Sequence, residues 1–211
     1  MTERRYYYLS LEGMSELAYF ERLRDLLNAA AVHPYRIELE CAVEHSPKRT
    51  FKRLKMRALA HGDTDPVIWH VRDVENPSEN RAFLSALRDL KQHNMRLCYS
   101  NYTFELWLLL HKCRMAEKLA DKRNYLKYIN KYFDTSYFAL HEFKERGNMK
   151  KLLAKLTLND ILTAIENADS LMEEKARIST PSEFCGFTYY TDNPATTVQE
   201  LVRTIYFGLP E

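Results

Sequence analysis

PVIWHVRDVE (residues 66–75) is nearly continuous in apolar character over its first six positions and then turns acidic. A strand covered on both faces reads this way, because none of its side chains has to meet water. Three other β-prone runs share the first half of the chain: residues 6–11, which stop at Glu12-Gly13, residues 35–43, and the short run 95–99. Helical periodicity fills the gaps. Leu17, Phe20, Leu23 and Leu27 follow Ser15, a cap candidate, and a second helix opens at Ser46-Pro47 and closes at Gly62. Asn76-Pro77 with Glu79 resembles a capped start for a third, whose apolar face is Ala82, Phe83, Ala86, Leu87 and Leu90. Strands alternating with helices of this length specify βαβ units, hence an α/β domain with a mainly parallel sheet flanked by helices, over residues 1–114. Beyond Arg114 the spacing of Leu119, Leu126, Ile129 and Phe133, then Leu152, Leu153 and Leu156, then Ile161, Ile165 and Leu171 predicts three or more helices. Residues 115–211 are thus expected to form a C-terminal helical subdomain packed on the sheet domain. The looser stretch STPSEFCGFTYYTDNP (179–194) precedes a last helix near 196–206.

Bulk composition narrows the function classes. The 31 basic and 29 acidic residues of the 211 leave a net charge of +2, so any attraction to nucleic acid has to be local. Cys41, Cys98, Cys113 and Cys185 stand far apart with no CxxC pair, which argues against a zinc ribbon or a disulfide framework. With five glycines and neither a GxGxxG nor a Walker A sequence, the usual nucleotide cradles lack support. No run is long and apolar enough to span a bilayer, and the charged start MTERRYYYLSLEG leads into a strand, so a cytoplasmic protein without a membrane partner is expected.

In an open parallel sheet functional groups gather at the carboxyl ends of the strands. Glu12 and Asp73 fall there, Glu75 projects from the same side as Asp73, and Glu16 lies one helical turn beyond Glu12. Clustered carboxylates repel unless a cation neutralises them, and hard ions such as Mg²⁺ take oxygen ligands. Acids at helix starts also complement the helix dipole, so spacing alone supports either reading. Asp63 and Asp65 precede their strand and read as turn residues. Ser100, Asn101 and Glu105 share the edge with the acids, and either Ser100 or Asn101 is a candidate helix cap. His111 beside an apolar helix reads as structural. The helix SPKRTFKRLKMR concentrates Lys48, Arg49, Lys52, Arg53, Lys55 and Arg57 around Phe51 and Leu54. It is a candidate track for a phosphate backbone, Lys48, Arg49, Lys52 and Arg53 foremost, or a solvated helix face.

Four segments together carry a resemblance: LEGMSELAYF (11–20), VIWHVRDVEN (67–76), YSNYTFELWLLLH (99–111) and DNPATTVQELV (192–202). They resemble the RloB family, Toprim-fold proteins related to the OLD-type nucleases, and SNYTFELWLLLH is the most specific part. The resemblance implies a Toprim-like catalytic domain in which Glu12, Asp73 and Glu75 hold Mg²⁺, with Mn²⁺ able to substitute, while Glu16 and Glu105 serve a second ion. It implies phosphodiester cleavage of DNA or RNA, a role in defence against phage or mobile elements, and a separate ATPase as partner; it is compatible with a homodimer. Two positions depart from the family pattern: Glu75 stands where a second aspartate is usual, and Tyr102 where proline commonly follows Ser-Asn. The rival reading is a Toprim-fold binding module that has lost activity, and nucleotidyl transfer is a third. Lys127 or Lys131 would be candidates to stabilise developing charge, and residues 193–197 read as a turn and helix cap without chemistry.

Overall fold

The computed structural model describes residues 2–74, 81–115 and 121–210. Strands β1 (Arg4–Leu11), β2 (Arg36–Val43), β3 (Ile68–Val74) and β4 (Arg96–Asn101) form one sheet in the order β2-β1-β3-β4, every pairing parallel. All four therefore deliver their carboxyl ends to one edge. Strand β3 starts later than the apolar run suggests and continues through Val74, because Asp73 pairs with Ser100 and Val74 with Asn101. Asp73 thus sits inside the ladder, with its backbone fixed by the sheet.

Alternation along the strands sorts the core into two layers. Tyr7, Leu9, Leu11, Trp69 and Val71 face helix α1 (Met14–Ala29), the short helix α4 (Glu105–Leu110) and the C-terminal helices. Tyr8, Ala42, Ile68 and Val74 face α2 (Pro47–Ala60) and α3 (Arg81–Gln92). Ser46 and Pro47 start α2 and Gly62, at φ +85°, follows its end, as the sequence suggests. Ser15 does not cap α1. Gly13 holds that position in extended conformation with no side-chain cap, and Glu16 Oε2 leans back over the helix start beside it. The expected helix start at Asn76, Pro77 and Glu79 lies outside the described residues, as does Leu119.

The C-terminal region contributes α5 (Tyr125–Phe133), α6 (Leu140–Lys144), α7 (Arg146–Ala154), α8 (Leu158–Ile178) and α9 (Val198–Phe207). Their apolar faces join the α1 layer, so Leu23 and Trp107 share one core with Ile129, Leu152 and Ile165. Helix α4 is buried on every side, which explains the unbroken apolar run LWLLL. His111 is structural: Nδ1–H donates to the carbonyls of Trp107 (3.0 Å) and Leu108 (3.2 Å), leaving Nε2 to accept from Tyr19 Oη at 3.2 Å. Burial holds its pKa down at about 4.

Two features were hidden from periodicity. The loose stretch contains a hairpin, β5 (Ser182–Phe184) and β6 (Phe187–Tyr189), turned by Cys185 and Gly186, both at positive φ as a two-residue turn of this hand requires. Residues 195–197 do not simply cap α9; they cover the free edge of β4. Asn101 N–H donates to Ala195 O and Thr197 N–H to Tyr99 O, both at 2.8 Å, and the Thr197 hydroxyl accepts from Tyr99 N–H at 3.0 Å. An exposed β edge is a template for unwanted pairing, and this segment closes it.

Candidate active site

The carboxyl edge of the sheet brings together Glu12, Glu16, Asp73 and Glu105. Glu12 leaves the end of β1, Glu16 the first turn of α1, Asp73 the last rungs of β3, and Glu105 the first residue of α4. Glu12 is clamped: Oε1 lies 3.0 Å from Arg72 Nη1 and 3.5 Å from His45 Nδ1, and Oε2 accepts from the Asp73 backbone N–H at 2.9 Å. Glu105 is fully buried. The Thr103 hydroxyl donates to its Oε2, and Lys144 Nζ sits 2.9 Å from its Oε1.

These acids are unfavourable to one another as charged groups. Burial first, then the charges of Glu105 and Glu12, push the Glu16 carboxyl up to about 7, against the pull of its own backbone N–H and of Lys144. Burial and the neighbouring Glu16, Glu105 and Glu12 hold Asp73 well above the ordinary carboxylate range. Lys144 shows the converse. Burial works against its charge, but Glu105, Asp73 and Glu16 outweigh it and raise its pKa. Low dielectric and like charge together make the pocket a sink for positive charge.

The donor set suits a hard divalent cation: all four side chains offer oxygen, and a cation would relieve the repulsion. As they stand, no three His, Cys, Asp or Glu side chains among the described residues are arranged to hold a metal. Both oxygens of Glu12 are already engaged, so a bound cation would compete with Arg72 and the Asp73 N–H for them. Glu75, expected as a ligand, lies outside the described residues.

Ser100 and Asn101 serve the frame of this site. Ser100 Oγ is 3.0 Å from Thr196 Oγ1, and Asn101 Nδ2 donates to the carbonyls of Tyr190 and Asp192, both at 2.8 Å. Neither caps α4, whose N-cap position is Phe104. Asp192 is held in turn by the buried Lys175, Nζ to Oδ2 2.8 Å. Tyr102 has φ +55°, a value closed to proline, whose ring fixes φ near about −65°. In this loop Tyr102 N–H donates to Val74 O at 3.2 Å.

Lys144 and Arg72 were not singled out from sequence. Lys144 sits in a basic stretch with no motif to mark it, whereas Arg72 adjoins the motif aspartate. Lys131 instead lies over the Tyr132 ring, 4.9 Å from its centroid, and Lys127 is exposed. On α2, Lys48, Arg49, Lys52 and Arg53 are exposed; Arg49 pairs with Glu44 at 2.9 Å, and Arg57 with Glu40 at 3.1 Å. Asp63 Oδ1 accepts from Asp65 N–H at 3.2 Å, the turn role expected of that pair. Among the described residues no helix is long and apolar enough to cross a membrane.

No curated protein and no solved structure matches the chain. A family model described as RloB-like protein matches residues 7–205, nearly the whole length, including all four segments that carry the resemblance. The chain belongs to the RloB-like family.

Proposed function

We propose that this protein is a Toprim-type, metal-dependent nuclease that hydrolyses phosphodiester bonds of nucleic acid. One observation carries the reading: Glu16, buried, and Asp73, half-buried, are held against Glu105 and Glu12 at the carboxyl edge of a parallel sheet, at a free-energy cost that a structural role does not explain. Asp73, Glu16, Glu105 and Glu12 are the residues to hold Mg²⁺ or Mn²⁺, with Glu75 as a further ligand. The ion supplies Lewis acidity toward a phosphoryl oxygen and lowers the pKa of bound water. Lys144 pairs with Glu105 at rest and is placed to meet the negative charge that develops on phosphate. Lys48, Arg49, Lys52 and Arg53 on the exposed face of α2 would follow the phosphate backbone of DNA or RNA. The family resemblance supports a role in defence against phage or mobile elements, beside a separate ATPase.

A second reading has its own observation. Arg72 and Lys144 already compensate Glu12 and Glu105, so the site can be read as a charge-balanced relic in a nucleic-acid or partner-binding module. Cleavage assays on DNA and RNA with Mg²⁺ and Mn²⁺ separate the two. The nuclease reading expects cleavage by wild type that Asp73→Ala abolishes. Equal behaviour of wild type and variant, with nucleic-acid binding retained, supports the module instead.

A further inference from the structure

Phe138 stands 92% exposed, more than any other large apolar side chain among the described residues. The loop that presents it, between α5 and α6, is tied down on both sides. Asn130 Nδ2 donates to Tyr137 O at 2.8 Å, and Asn130 Oδ1 accepts from Tyr137 N–H at 3.0 Å and from Thr135 Oγ1 at 2.9 Å. From the other side Glu142 Oε2 accepts from Phe138 N–H at 2.8 Å, while Tyr137 packs on the buried Phe143. A loop held this firmly displays its phenylalanine by construction. The ring forgoes the stabilisation of burial in the free protein, and a ligand that covers it recovers that stabilisation without an ordering cost.

The surroundings indicate what covers it. Residues 121–155 contain nine Lys and Arg against four Asp and Glu. Lys127, Lys131, Arg146 and Lys150 are all exposed there. Helix α6 joins the ring to the acids: Phe138 lies two residues before its first residue, and Lys144, its last, pairs with Glu105. Five helical residues rise only roughly 7.5 Å, so one short rigid element spans the two. A protein partner would favour a contiguous apolar patch depleted in lysine, whereas a lone ring on a loop whose flanking helices carry exposed cations suits stacking on a base with phosphates alongside.

We propose that Phe138 is a base-stacking residue which, with the exposed cations of α5–α7, holds an unpaired base of a single-stranded nucleic acid next to the acid cluster. The inference rests on the nuclease reading for the class of substrate, but its test needs no catalysis. Fluorescence anisotropy in EDTA compares a labelled single-stranded oligonucleotide with its duplex, as DNA and as RNA, for wild type, Phe138→Ala and Phe138→Trp. The expected result is about tenfold weaker single-strand binding by Phe138→Ala, duplex binding unchanged, and recovery in Phe138→Trp. Thermal midpoints should not fall, because the ring supports no core. Single-strand binding by Phe138→Ala equal to wild type, or an equal loss on duplex, overturns the stacking role alone. Wild type that binds neither form overturns the stacking role, while the nuclease reading is decided separately by the cleavage assays.

Discussion

Replacing Glu16 by glutamine in the metal-free protein tests whether the acids are held together at a cost. An isolated glutamate titrates at 4.5, and in the fold Glu16 titrates at about 7, first through burial and then through Glu105. Between those values the folded state binds the proton more tightly than the unfolded chain. The contribution of Glu16 to stability is therefore fully present below pH 4.5, and is lost as pH rises through about 7. Holding the carboxyl that far above its ordinary value corresponds to roughly 3 kcal/mol at pH 9. Little solvent screening applies, since Glu16 is only 5% exposed. Glutamine keeps the shape and removes the charge, so Glu16→Gln should be more stable than wild type at pH 9 by about 2–3 kcal/mol, a rise of roughly 5–10 °C in thermal midpoint for a chain of this size. The difference should vanish near pH 4. Urea denaturation in EDTA across this range measures it, and excess Mg²⁺ should reverse the order by stabilising wild type more. A Glu16→Gln effect independent of pH, or destabilisation at pH 9, refutes the electrostatic account of the site.

Other perturbations probe the frame and the surface. Tyr102→Pro should cost on the order of 3 kcal/mol in urea denaturation, because proline cannot reach φ +55° and loses the N–H that Val74 O accepts, while Tyr102→Gly should be tolerated. Gly208→Ala should destabilise by about 1–3 kcal/mol by calorimetry, since Gly208 has φ +61° and a Cβ there would collide with Tyr35 Oη, beside the carbonyl that Arg5 binds at 2.8 Å. Lys175→Met should cost about 1–2 kcal/mol, less than for a fully buried pair because solvent screens the half-exposed Asp192, and hydrogen exchange should rise at residues 192–197. Charge reversal at Lys48, Lys52 and Arg53 together should lower the slope of log affinity against log salt by about 2–3 for DNA.

The sheet and its acidic edge were legible because their causes are local. A doubly covered strand has to be apolar throughout, and PVIWHV shows it; a parallel sheet has to end its strands together, and Glu12 follows one of those ends while Asp73 sits in the last rungs of another. The family match over residues 7–205 agrees with the segments that suggested it. What escaped depends on contacts between distant residues. Lys144 reaches Glu105 only through the packing of the C-terminal helices on α1 and α4, so nothing in HEFKER announces it. Residues 195–197 read as a helix cap because periodicity cannot see that β4 has a free edge to cover. Ser15 has the chemistry of a cap, but the helix already starts at Met14 and Gly13 takes the cap position.

The central claim is that the acids at the strand ends hold a divalent metal for phosphodiester cleavage. A crystal grown with Mn²⁺ and measured at the manganese absorption edge tests it most directly. The account predicts an anomalous peak bounded by Asp73, Glu16 and Glu105, with Glu12 turned away from Arg72 to join it and the peak lost in Asp73→Asn. A map without a peak among these carboxylates, or an unchanged peak in Asp73→Asn, would contradict it.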